Sequence, residues 1–147
     1  MGNYKVVSLL LAMVFVLTAC NSLPQTIHVV ERATSDVITD TGTEGDSVGD
    51  LLTFANDLFD ANNENKVGID NGYCVRTVVA EVWECNWTVL LAEGQITAEG
   101  PFYDAADSVL AITGGTGAYK NARGEMQLKS RNEEGTEFDF IYEVYRY

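Results

Sequence analysis

The chain has 147 residues, with 22 acidic against 9 basic side chains and a formal net charge of −13. Such acidity repels phosphate backbones and anionic lipid surfaces, which excludes nucleic acid as a partner. Prolines number only 2, while Thr, Val, Tyr and Phe recur throughout, a composition suited to strands.

Met1-Gly2-Asn3-Tyr4-Lys5 is a short, weakly positive start, and Val6 to Val16 is apolar apart from Ser8. That run is too short for a transmembrane helix, which needs about 20 apolar residues, but it fits the apolar region of a signal peptide. Leu17-Thr18-Ala19-Cys20 follows at once and resembles the lipobox of bacterial lipoproteins. Residues 1–19 are therefore expected to be a signal peptide, Cys20 the lipidated residue, 20–25 a tether and 26–147 one domain. The plainer alternative is a signal peptide whose cleavage site happens to precede a cysteine. An exported protein, anchored to the cell-envelope membrane by lipid, is the expectation. Asn21 rather than Asp follows Cys20, which favours the outer membrane in a Gram-negative host.

Thr26 to Ala33 reads as a strand, with Ile27, Val29, Glu31 and Ala33 on one face. Thr34 to Ser47 reads as an acidic loop. Asp50 to Asn56 is a second strand, and Asp57 to Lys66 a turn with a polar centre. Val67 to Val79 contains a third strand. Val82 to Leu91 is a fourth, in which Trp83, Cys85, Trp87 and Val89 alternate with Glu84, Asn86, Thr88 and Leu90. Ala92-Glu93-Gly94 forms a hairpin turn into a fifth strand, Gln95 to Gly100. Ser108 to Thr113, Gly124 to Arg131 and Thr136 to Tyr147 complete the set. No stretch keeps a helical period over three turns. Eight short strands with turns between them imply an all-β, antiparallel sandwich or barrel. An eight-stranded barrel is filled by side chains or holds one small ligand.

Glu31 stands out because it shares a face with Ile27 and Val29. A carboxylate inside an apolar lumen is costly unless paired, and such residues are often functional. Its other reading is a solvated strand end. Cys74 and Cys85 fall on neighbouring strands of one hairpin. In an oxidising compartment they form a disulfide candidate; the alternative is a free Cys74 thiol facing a cavity. Arg76 follows Cys74 with the same parity, so it is expected to pair with Glu31, to clamp a ligand carboxylate, or to sit at the barrel mouth. Gly114-Gly115-Thr116-Gly117 lacks the Lys-Ser/Thr and the helix of a phosphate loop. His28 is the only histidine, and Asp36, Asp40, Glu44, Asp46 and Asp50 lack the spacing of a calcium loop. Neither a metal nor a cofactor is expected.

Three segments together resemble the allene oxide cyclase–dirigent superfamily. They are Gly49 to Asn56, Val67-Gly68-Ile69-Asp70-Asn71-Gly72-Tyr73-Cys74-Val75, and Ala111 to Tyr119 running on to Ala122-Arg123-Gly124. Glu99-Gly100-Pro101-Phe102 adds a fourth likeness. The resemblance implies an eight-stranded antiparallel β-barrel, a lumenal site and a homotrimer. It assigns to Glu31 the role of a catalytic carboxylate stabilising a cationic intermediate, and to Asn56, Cys74 and Phe102 places around the ligand. Departures are Ala33 where the family has Asn, and Phe102 where it has Tyr. Two functions follow as expectations. One is non-catalytic binding of a small apolar ligand, fatty-acid-like or polyketide-like. The other is an isomerase or cyclase acting through Glu31.

Overall fold

The computed structural model describes residues 23–146. The expected signal peptide and the Cys20 anchor lie outside the described residues. Ten strands are present: β1 (Gln25–Arg32), β2 (Val37–Thr39), β3 (Leu51–Phe54), β4 (Asp57–Asp60), β5 (Lys66–Val78), β6 (Val82–Leu91), β7 (Gly94–Tyr103), β8 (Ser108–Gly115), β9 (Ala122–Ser130) and β10 (Glu137–Arg146). A single 3-10 turn, Gly117–Tyr119, interrupts them.

Eight of these strands close a ring. In order around the barrel they are β1, β10, β9, β8, β7, β6, β5 and β4, every neighbouring pair antiparallel, with β4 returning to β1. The fold is the closed, eight-stranded antiparallel barrel that the sequence suggested. Two strands depart from expectation. The segment read as a turn after Asn56 contains β4, because Leu58 continues the inward alternation and is fully buried. β3 and β4 are thus one wall broken at Ala55 and Asn56: β3 pairs with Leu51↔Val75 register on β5, and β4 pairs further along the same strand. The acidic loop contains β2, a short strand that pairs only with β3 and lies outside the ring. β7 also runs past Gly100. It can carry Pro101 because its ladder to β8 covers only Ile96 to Glu99, so the missing N–H falls on an unpaired stretch.

Strict alternation fills the interior. On β6, Trp83, Cys85, Trp87 and Val89 are buried, and on β10 Phe140, Tyr142 and Val144. At one end Leu58, Val89, Ile96, Ile112, Ala122, Met126 and Val144 pack the lumen solid. Toward the other end the packing opens. Gly72 matters there: a Cβ at that position would collide with Trp87 and Phe54, so only glycine lets both rings lie across the strand.

Cys74 and Cys85 are register partners on β5 and β6 and are disulfide-bonded. The bridge closes a hairpin with a sequence separation of 11 residues. Replacing both cysteines by alanine is expected to cost about 2–3 kcal/mol in chemical denaturation, and alkylation of the denatured, unreduced protein should label neither residue. A labelled Cys74 or an unchanged midpoint would contradict the bridge.

Candidate functional site

The open half of the barrel is a cavity of about 140 Å³. Glu31, Asp36, Leu52, Trp87, Phe102 and Phe140 are among its walls, with Phe138 toward the opening. A wider mouth beyond it shares Phe102, Leu128, Gly135 and Phe138 with the cavity. Five of the lining side chains are aromatic. Trp87 stacks on Phe140 at 5.4 Å and meets Phe54 edge-on at 6.0 Å. Phe102 and Phe138 form a second edge-on pair at 6.0 Å.

At the cavity floor, polar groups converge on the break between β3 and β4. Glu31 points inward from the end of β1 and is only 6% exposed. Asn56 Nδ2 donates to Glu31 Oε1 at 2.9 Å and to Asp36 Oδ1 at 2.7 Å. Its Oδ1 accepts from the Thr34 and Ser35 backbone N–H groups and from Ser35 Oγ, at 2.9–3.0 Å. Those backbone donors fix which way the amide points, because only its oxygen can accept them. The broken strand is therefore functional geometry: it turns one buried asparagine into a clip between the loop and two carboxyls.

Asp70, fully buried on β5, completes the cluster. Its Oδ1 accepts the Asn56 backbone N–H at 3.1 Å, and no protein N–H reaches its Oδ2. Its carboxyl meets that of Glu31. Two facing carboxyls cannot both ionise cheaply away from water, so they share a proton. Burial, then the charge of Asp70, raises the Glu31 pKa well above the usual carboxylate range. Burial pushes the Asp70 pKa up to about 6. The pair takes up and releases protons as a unit. Just below, Trp87 Nε1 donates to the Tyr142 hydroxyl at 3.3 Å, and burial raises the Tyr142 pKa.

The residues singled out from sequence fall in two places. Glu31, Cys74 and Phe102 line the cavity, and Asn56 lies at its floor. Cys74 contributes its bonded sulfur and no thiol. Arg76 requires a correction: it does not pair with Glu31. It lies two residues further along β5, about 6.6 Å nearer the rim. There its Nε donates to Asp46 at 2.7 Å, its Nη1 to both Asp104 oxygens at 2.8–2.9 Å, and its guanidinium stacks 3.9 Å over Trp83. Asp46 and Asp104 lie on loops beside the Arg76 guanidinium, whereas Glu31 is fixed on β1. Asp36, Asp70 and the Phe54, Trp87, Phe138 and Phe140 rings escaped the sequence reading of the site. Asp70 carried a usable signal, since it precedes Cys74 by four residues and shares its inward parity. Asp36 carried none, because the loop that places it has no period.

A family model described as allene oxide cyclase matches residues 17–141. The chain belongs to the allene oxide cyclase family. Among solved structures, this family member is 28% identical to a pyocyanin demethylase, covering 80% of this chain and 100% of that one with a TM-score of 0.69. A pterocarpan synthase dirigent protein shares the barrel at 19% identity, 84% of each chain and TM-score 0.68. An exo-specific intermolecular Diels–Alderase shares it at 14% identity, 82% of this chain and 96% of that one, TM-score 0.64. The allene oxide cyclase barrel is thus one scaffold beneath several chemistries, and the side chains at the floor must carry the functional argument.

Proposed function

We propose that the lumen is a working site that takes a small, flat, mainly apolar ring molecule and moves a proton on it, an isomerase-class activity. The observation behind this reading is Glu31, buried in the wall of the cavity and coupled to the buried Asp70. A carboxylic acid kept protonated by burial is a general acid near neutral pH. Glu31 gives its proton to an electron-rich atom of the ligand and becomes a carboxylate held by Asn56. Positive charge develops on the ligand against the faces of Trp87 and Phe140. A proton leaving a neighbouring ligand atom then returns to the carboxylate. Bonds rearrange within one molecule, and no oxidant or co-reactant is consumed.

The relatives agree with a ring-shaped occupant. One similar structure is described as a nonspecific heme-binding cyclase and another as a Diels–Alderase, at 14% identity each. The pyocyanin demethylase, at 28%, is named for its action on pyocyanin. Arg76, already held by Asp46 and Asp104, is a poor clamp for a fatty-acid carboxylate. Binding without turnover is the second reading, favoured by the bonded Cys74, which leaves the cavity no thiol nucleophile. In either reading the protein is exported, anchored through Cys20 and assembled as a homotrimer.

Native mass spectrometry of the full chain purified from its host tests the reading. The expected spectrum shows three copies with one small molecule per copy. That molecule, incubated with the protein in deuterated water, should gain deuterium at a carbon position. A spectrum of ligand-free protein under gentle conditions would sink the lumenal role, and capture without exchange would select the binding-only reading.

A further inference from the structure

Resting on the reading that Cys20 carries a lipid anchor, we infer that the closed end of the barrel is a membrane-docking surface. Lys120, Arg123 and Arg146 meet anionic lipid headgroups there, and the mouth opens away from the bilayer into water. Topology supplies the first observation. β1 runs from Gln25 at the closed end to Arg32 at the mouth, and β10 returns from the mouth to Arg146. The mouth is marked by Asp36, which follows β1, and Gly135, which precedes β10, both on the cavity wall. The polypeptide therefore enters the barrel at the end opposite the cavity opening. Cys20 precedes Gln25 by five residues, a reach of at most about 18 Å. The 10 residues of β6, tilted as barrel strands are, make a wall about 25 Å tall. A tether that short, leaving the closed end, cannot bring the mouth down onto the bilayer.

The second observation is a basic corner at that end. Arg146 pairs in register with Ala122, and Tyr145 with Arg123, so both arginines adjoin the turn that carries Lys120. The corner lies beside the tether exit, since Gln25 on β1 is the register partner of Val144, two residues before Arg146. All three side chains are exposed, and among the described residues none forms an ion pair. Arg146 Nη1 donates to the Ala118 carbonyl at 3.1 Å and Arg123 Nη1 to the Ala122 carbonyl at 2.6 Å. The third observation is the opposite sign at the mouth. Segments 33–50, 79–81, 104–107 and 131–136 all carry acids, with Arg131 as the one basic residue in them. The closed-end turns 61–65, 92–93 and 116–121 carry Glu64 and Glu93 beside Lys120. A net charge of −13 repels an anionic surface as a whole, but its distribution gives the molecule a direction. The mouth is pushed off and the basic corner is drawn in. The lumen then receives its ligand from the aqueous phase and not from within the bilayer.

The test reconstitutes the full chain, expressed with its own leader, into vesicles of phosphatidylcholine mixed with phosphatidylglycerol and bearing a nitroxide at the headgroups. A fluorophore is attached to one added thiol, either Ala92→Cys in the turn between β6 and β7 or Ala106→Cys in the loop between β7 and β8, both exposed positions. The nitroxide should quench the label at position 92 at least about fivefold more than the label at 106. Combining Lys120→Gln, Arg123→Gln and Arg146→Gln, or using phosphatidylcholine alone, should bring the two within about twofold. Equal quenching at both positions in the mixed vesicles, or stronger quenching at 106, would overturn the inference. A preference unmoved by the triple substitution would overturn the basic corner as the docking surface. Mass spectrometry of the N-terminal peptide separates the two readings. A chain without an acyl group on Cys20 that fails to float with vesicles overturns the anchor and this inference together. An acylated, vesicle-bound chain lacking the preference overturns this inference alone.

Discussion

Glu31→Gln is expected to lower turnover of the lumenal ligand by about 100-fold or more, while the affinity for an uncharged ligand stays within about threefold. Glutamine keeps the side-chain length. Its carbonyl still accepts from Asn56 Nδ2, and its amide supplies Asp70 with a permanent donor. What it cannot do is release a proton. A drop in rate without a drop in affinity therefore separates acid catalysis from packing. Stability should move the other way. Glu31 has a raised folded-state pKa, so its stabilising share is complete below its ordinary value of 4.5 and is lost as pH rises through the folded value. Asp70 behaves alike, losing its share as pH climbs from its ordinary 3.8 through about 6. The wild type should thus weaken from about pH 5 to pH 8, and Glu31→Gln should flatten that decline. Urea denaturation at both pH values checks this. Unchanged turnover, or a variant less stable than wild type at pH 8, would contradict the assignment.

Asn56→Ala should destabilise the barrel by about 3 kcal/mol or more at pH 7. The side chain is 1% exposed, and its bond to Glu31 lies in the interior. Removing it strands the Thr34 and Ser35 N–H groups, which lose their common acceptor. It also leaves Glu31 and Asp36 without their shared donor. Lowering the pH to about 5 should recover part of the loss, because Glu31 and Asp70 then take up protons and repel each other less. A loss below about 1 kcal/mol, or one independent of pH, would show that the clip is dispensable. The comparison variant is Asn71→Ala on the outward face of β5, which should sit near wild type.

The barrel was legible because burial on one face writes a period of two into each strand. Val82–Leu91 kept its ends, and Phe138, Phe140, Tyr142 and Val144 faced inward as their alternation said. The same rule placed Glu31 in the lumen. It failed where the chain breaks its own period. At Ala55 and Asn56 the wall strand pauses, and the polar run from Asp60 to Asn65 hid the continuation through Leu58. Parity also carried Arg76 inward correctly, yet could not name its partners. Those come from Asp46 and Asp104 on loops, whose paths are set by single turns and hydrogen bonds rather than by repetition. Asp70 was visible in principle. An acid on the inward parity of a strand, two residues before a glycine that admits a tryptophan, is the kind of local inconsistency that marks a site.

A crystal structure of the protein carrying the molecule retained from its host is the decisive test of a ring-shaped ligand held in the lumen against Glu31. Ligand density is expected between Trp87 and Phe102, with a heteroatom within about 3 Å of the Glu31 carboxyl. Density for the ligand on the outer wall of the barrel, with the lumen collapsed or holding water alone, would contradict it.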